Sequence, residues 1–263
     1  MSSALPAPRR FERVSPLAFA LWVLAAAAVI ASLQGIGFSA SGFVSGLPNM
    51  GRILGEMFPP SLERAGPVGK ALLETFQMAL VGTVAGVALS LPLAVLATRH
   101  LSPHAALYYV ARSLIAFFRT VPDLVWALFF VVTVGLGPFA GTLAIMVDII
   151  GFCGRFFAEA MEEADRGPQE ALNALGAGRT AVIAAAVIPA AMPSLINASL
   201  FSLEKATRSS VVLGLVGAGG IGIELQVSMD LFRYAEASAI IIAVFLLVVV
   251  VEHCSAWLRR RLI

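Results

Sequence analysis

Apolar residues in this chain run on for lengths that a soluble core never needs. Residues 17–33, 72–97, 108–136, 139–157, 181–203 and 237–251 are dominated by Ala, Val, Leu, Ile and Phe. About twenty such residues cross the hydrocarbon core of a bilayer as a helix. Backbone polar groups find no water there, so a crossing chain must satisfy them internally, as helices or as a closed barrel. The runs do not alternate with period two, which argues against the barrel. An all-α, polytopic helical membrane protein with about six transmembrane helices is expected. Only 13% of the residues are charged, against about a quarter in soluble domains, which favours the same class.

The segments between the runs set organisation and orientation. Arg9, Arg10 and Arg13 precede the first run. That arrangement fits a secretory or twin-arginine signal, but an uncleaved first helix is expected because the rest of the chain is equally membranous. Residues 34–71 are mixed in polarity, rich in Gly and Pro, and carry Arg52, Glu56, Glu63, Arg64 and Lys70. They read as a loop. Two regions follow: residues 1–71 as an N-terminal cytoplasmic tail, first transmembrane helix and external loop, and residues 72–263 as the transmembrane domain, with a polar cytoplasmic segment at 159–180. Six spans put both termini on one side. Arg99, Arg155, Arg166, Arg179, Arg259, Arg260 and Arg261 fall on that side with the N-terminal arginines, so the positive-inside rule makes it cytoplasmic. The bias is not clean, since Arg52, Arg64, Lys70, Lys205, Arg208 and Arg233 fall opposite.

A net charge of +2 makes no case for nucleic-acid binding. Cys153 and Cys254 both lie in apolar stretches and read as buried thiols. His100, His104 and His253 are scattered. No metal or cofactor is expected.

The polar segment between the fourth and fifth runs is the most informative. It reads Glu170-Ala171-Leu172, with Gly176 six residues after the Glu and Ile188-Pro189 at its far end. Gly167-Pro168 suits the first turn of a short amphipathic helix. Leu172 and Leu175 can then point into a groove on a partner, and Gly176 lets the chain turn sharply. Such a helix transmits force between a span and whatever holds it. The plainer alternative is an amphipathic helix that merely joins two spans. The spacing matches the signature of ABC importer permeases that begins Glu-Ala-Ala, with Leu172 in place of the second Ala.

Other blocks extend the likeness. They are Arg119-Thr120-Val121-Pro122-Asp123-Leu124-Val125-Trp126-Ala127, Val134-Gly135-Leu136-Gly137-Pro138-Phe139-Ala140-Gly141, Phe157-Ala158-Glu159-Ala160-Met161-Glu162, Arg208-Ser209-Ser210-Val211-Val212-Leu213-Gly214 and Gly217-Ala218-Gly219-Gly220-Ile221-Gly222. From about residue 72 onward the chain resembles the phosphonate ABC transporter permease family. The resemblance implies a type I, methionine-importer-like permease fold in the bacterial inner membrane and inward movement of phosphonates by alternating access. It also implies a homodimer, two copies of an ABC ATPase subunit and an extracytoplasmic phosphonate-binding protein. Glu170, Ala171, Leu172, Leu175, Gly176 and Pro189 would couple to the ATPase. Permeases for methionine and other small solutes share parts of these blocks, so phosphite, phosphate esters and methionine stay open as cargo.

The remaining candidates belong to a path or gate. Arg119, Asp123, Asp148 and Arg155 are ionisable residues within apolar runs, where charge is costly and marks function by default. Pro122 should break the third run, although Arg119 and Asp123 are spaced for a pair on one helix face. Asp148 reads as structural or gating. It would be the ion site if the chain were instead an ion-coupled secondary transporter. Arg208, Ser209 and Ser210 can line an anion path. Gly217, Gly219, Gly220 and Gly222 match a dinucleotide fingerprint as a string, but no βαβ unit is available to use it. They read as gate backbone or close packing, and whether residues 211–223 cross the bilayer is open. Gly66-Pro67-Val68-Gly69-Lys70 lacks the first glycine and the hydroxyl of a phosphate loop, so energy is expected from a partner.

Overall fold

A computed structural model describes residues 15–37 and 39–262. Arg9, Arg10 and Arg13, on which part of the orientation reading rests, lie outside the described residues. All regular structure among the described residues is helical. The chain divides into two compact units, one ending at Gly55 and one beginning at Glu56.

The first unit holds α1 (Pro16–Gly35) and most of α2 (Ala40–Glu56). The Ser15 hydroxyl accepts the backbone N–H of Ala18 at 3.1 Å, and Pro16 occupies the first position, where its missing N–H costs nothing. None of the 20 residues of α1 is buried, as suits a helix that is apolar all round. The expected loop at residues 34–71 is corrected by α2. Glycines and Pro48 point to a loop, but Phe43, Val44, Leu47, Met50 and Leu54 recur every three or four residues and make an amphipathic helix.

The second unit holds α3 (Ala65–Ala97), α4 (Ala105–Thr120), α5 (Asp123–Val134), α6 (Pro138–Glu163) and α7 (Gly167–Ala174). After these come α8 (Arg179–Val182), a π turn at Ile183–Val187, α9 (Ile188–Gly214), α10 (Ile221–Asp230) and α11 (Tyr234–Leu262). Among the described residues, α1, α3, α6, Arg179–Gly214 and α11 are long and apolar enough to cross a membrane. The pair α4 and α5 makes a sixth span if it counts as one, bent by 90°. Pro122 explains the bend, because its ring cannot continue the helix and extends the residue before it.

The fifth span differs from its sequence reading. It was expected at 181–203, with Lys205 and Arg208 beyond its end on the opposite side. The helix instead continues through Gly214, giving 36 residues from Arg179. Lys205 and Arg208 therefore lie inside α9 rather than in an external segment. Residues 211–223 do not form a crossing of their own. They finish α9, turn, and open α10, whose 10 residues extend only about 15 Å.

The spans pack through small residues. In α3 the buried positions include Thr75, Ala79, Gly82, Thr83, Gly86, Ser90, Ala94 and Ala97. Lipid-embedded helices gain nothing from hiding apolar surface from one another, so close backbone approach holds them together. A Cβ on Gly82 would come within 2.7 Å of Ile145, and one on Gly86 within 2.7 Å of Ile149. The Ser90 hydroxyl donates to the Gly86 carbonyl at 2.6 Å. Gly151 and Gly154 of α6 admit the end of α4 in the same way, against Arg119 and Ile115.

Candidate functional site

The first candidate region is the connection between α6 and α9. The Gly167 N–H donates to Asp165 Oδ1 at 3.0 Å, and Pro168 follows, so α7 starts where its sequence requires. It ends in a Schellman motif: Gly176 N–H donates to Asn173 O at 3.0 Å and Ala177 N–H to Leu172 O at 3.0 Å. Gly176 has φ +77°, and a Cβ there would meet nothing within 4 Å. Its glycine is needed for backbone conformation, not for space. Glu170 and Ala171 are exposed, Leu172 is half-buried, and Leu175 is 84% exposed. An apolar side chain so exposed on a polar connection has no partner within the chain.

A cleft of about 320 Å³ lies behind α7, lined by His100, Arg166, Gln169, Glu170 and Arg179 among others. The Arg179 guanidinium donates to the Leu101 carbonyl, so the turn after α3 and the start of α8 are tied together. Desolvation at this cleft, and then the nearby Arg166, hold the His100 imidazole below its usual range, with Glu162 pulling the other way. Pro189 is exposed near the start of α9, just past the π turn.

The second region is a charged face formed by α6, α9 and α11. Lys205 Nζ contacts both oxygens of Asp148, at 2.9 and 2.8 Å. Arg208 meets Glu252 at 2.9 Å, and Arg259 pairs with Glu204 and approaches Asn197 at 3.5 Å. Sequence reasoning singled out Asp148 and Arg208 but not Lys205, Glu204, Glu252 or Arg259 as partners. A charge's partner is set by how helices face one another, which no spacing within one helix reveals. Ser209 is half-buried, and Ser210 is buried with its hydroxyl donating to Thr207 O at 2.9 Å. The two serines therefore do not join Arg208 on its exposed side.

Arg119 and Asp123 are not paired, because the helix breaks between them. The Asp123 carboxylate instead accepts the Leu124 N–H at 2.9 Å. Arg119 lines a cleft of about 140 Å³ with Arg112 and Arg155. Arg112 pairs with Glu162 at 2.8 Å and Arg155 with Glu159 at 2.7 Å. No carboxylate among the described residues pairs with Arg119. Pro122 is exposed at the start of α5.

The glycine segment is a sealed turn. Gly137 N–H donates to Gly217 O at 3.0 Å. Gly220 N–H donates to Glu74 at 2.8 Å, and Ile221 N–H to the Thr75 hydroxyl at 2.7 Å. Gly219 has φ +90°, and a Cβ there would lie 2.6 Å from Pro138. Gly222 packs against Gly214. Gly219, Gly220 and Gly222 are buried and Gly217 half-buried. The turn thus clamps the N-terminal ends of α3 and α6 and the C-terminal end of α9 to one another.

Residues 73–263 match the family model described as binding-protein-dependent transport system inner membrane component. The chain is 42% identical over 217 residues to the phosphate-import permease protein PhnE of Mycolicibacterium smegmatis, covering 82% of this chain and 41% of that protein. It thus spans well under half of that relative. It is 37% identical over 221 residues to the phosphite transport system permease protein PtxC of Stutzerimonas stutzeri, covering 84% of this chain and 80% of that one. A chain of the inward-facing MetNI methionine ABC transporter superposes with a TM-score of 0.65 at 25% identity, covering 75% of this chain and 99% of that chain. Most of the membrane domain thus falls inside one family model, with the fold of a solved ABC importer chain beside it. The chain therefore belongs to the family of binding-protein-dependent transport system inner membrane components.

Proposed function

We propose that this chain is the transmembrane permease of an ATP-driven importer that moves small phosphorus oxyanions, most simply phosphonates, inward across the cytoplasmic membrane. The observation that carries the coupling half of this reading is α7. It is short, rigidly ended, and presents Leu175 to solvent near a cleft lined mainly by polar side chains. A partner ATPase, in two copies, takes that helix, and its closure on ATP moves α6 and α9 together. Glu170, Ala171, Leu172, Leu175 and Gly176 form the contact, and Pro189 shapes the start of the span behind it. An extracytoplasmic binding protein delivers cargo at the outer end, and a second copy of this chain completes the pathway. Residues 1–71 serve as tail, first helix and a connection that carries α2, and 159–180 as the coupling segment within 72–263. Both termini lie in the cytoplasm.

The relatives support the cargo class, since the names of two of them specify phosphate and phosphite. Arg119 and Arg208 suit an anion path, while the glycine turn acts as the outer gate. Phosphite is the second reading. An ion-coupled transporter with Asp148 as its ion site loses support, because both oxygens of Asp148 are engaged by Lys205.

The test is uptake of radiolabelled 2-aminoethylphosphonate and phosphite by cells lacking the chain, complemented with wild type, Gly176→Val or Gly176→Asn. A β-branched residue at φ +77° costs about 1–3 kcal/mol of backbone strain, whereas Asn tolerates that region. Wild type and Gly176→Asn should restore uptake, and Gly176→Val should reach the membrane but import little. If wild type restores neither solute, the cargo class is wrong.

A further inference from the structure

A charged pair sits where charge is most costly. Asp148 lies ten residues into α6, about 15 Å along its axis and so near the middle of a hydrocarbon core of about 30 Å. Lys205 bridges both of its oxygens and also stands 5.4 Å from the centre of the Phe152 ring. Residues at such depth are paired or face a water-filled cavity, and this pair is both matched and partly open at the surface of the chain. The Lys205 side chain keeps 35% of its surface exposed while Asp148 keeps only 16%. The cation is therefore on the open side and the carboxylate behind it.

The surroundings repeat the arrangement. On α9, Asn197, Phe201 and Arg208 are exposed on the same stripe as Lys205 at helical spacing. Arg208 and Arg259 each hold a carboxylate as well, Glu252 and Glu204. So polar a face does not meet lipid tails. At rest each of these cations is matched by one carboxylate, so the face attracts no anion permanently.

We propose that Lys205 is a cation that receives the transported oxyanion, and that Asp148 holds it in reserve. This rests on the importer reading given above. An arriving tetrahedral oxyanion takes hydrogen bonds from the Lys205 ammonium that Asp148 otherwise accepts. No covalent bond changes. Two anions then compete for one ammonium, so the solute is held briefly and Asp148 recovers its partner when the solute leaves. A site on a transport path must be favourable enough to enter and weak enough to leave, and the competing carboxylate supplies the second condition. Lys205 alone at this depth would hold an anion too long.

The test compares wild type, Asp148→Asn, and the double variant Asp148→Asn with Lys205→Met, in cells lacking the native copy. Uptake of radiolabelled phosphite and 2-aminoethylphosphonate is followed against concentration, with the amount of protein in the membrane measured in parallel. Asp148→Asn should lower KM and the maximal rate together, each by roughly threefold or more, because the bound state is held too well. The double variant removes both charges, which proteins often tolerate. It should reach the membrane in wild-type amount and import roughly tenfold less. A double variant that imports like wild type makes the pair a structural brace and overturns the proposal. So does an Asp148→Asn variant with unchanged KM. Because KM does not depend on the amount of protein, that single variant decides the matter even if the double variant is poorly produced. Wild type failing on both solutes would instead remove the cargo class on which this proposal rests.

Discussion

At the scale of single residues, isolated charges in apolar runs were legible but their partners were not. Asp148 stands out in any reading of the chain, because burial of an unpaired carboxylate is so costly. Lys205 did not, since it falls just past the apparent end of its run. Arg119 and Asp123 were spaced for a pair that the bend at Pro122 prevents. His100 shows a further residue-scale effect, since its imidazole is held below its ordinary value of 6.5 by desolvation and by Arg166. The folded protein therefore favours the neutral ring, and the unfolded chain takes up the proton first as pH falls. The stability this supplies is complete above pH 6.5 and is lost as pH falls through the lowered folded value. Thermal unfolding in detergent, measured from about pH 8 down to about pH 5, should show Tm falling with acidity. A His100→Gln variant should show a shallower fall. Equal slopes would mean that His100 does not contribute.

At the scale of elements, the spans are recognised by length and their contacts by small residues. The interface of α3 with α6 is built on Gly82 and Gly86, with Ile145 and Ile149 filling the space that a side chain would occupy. Gly86→Val should destabilise the protein by roughly 3 kcal/mol, the upper end for overpacking. Adding Ile149→Ala should recover part of it, as contacting sites couple. Thermal unfolding of the purified variants measures both, and simple additivity of the two changes would contradict the packing. The helix α2 belongs to this scale too. Its glycines and Pro48 suggested a loop, while its recurring apolar positions carried the periodic signal that decides helix.

At the scale of the whole molecule, the orientation rests on counting spans and placing arginines. Moving Lys205 and Arg208 into α9 removes two cations from the external tally and sharpens the bias toward the side bearing Arg99, Arg166 and Arg179. An alkaline phosphatase reporter fused at the C-terminus should be inactive in the cytoplasm. The same reporter fused after Arg233, between α10 and α11, should be active outside. The reverse pattern would invert the topology and place α7 on the wrong side for an ATPase.

The amino-acid sequence by itself determined the solvent, about how many spans there are, the break at Pro122 and the short glycine-ended helix at residues 170–176. Each of these depends on local quantities: run length, a ring that blocks a hydrogen bond, and the spacing from Glu170 to Gly176. Tertiary structure alone decided that Lys205 meets Asp148, that Glu252 and Glu204 hold the arginines, that Ser210 turns inward, and that the glycine turn is clamped by Glu74 and Thr75. Those contacts join residues from 44 to 146 positions apart, Ser210 excepted. Their pairing depends on the rotation and depth of packed helices, which one helix's periodicity cannot specify.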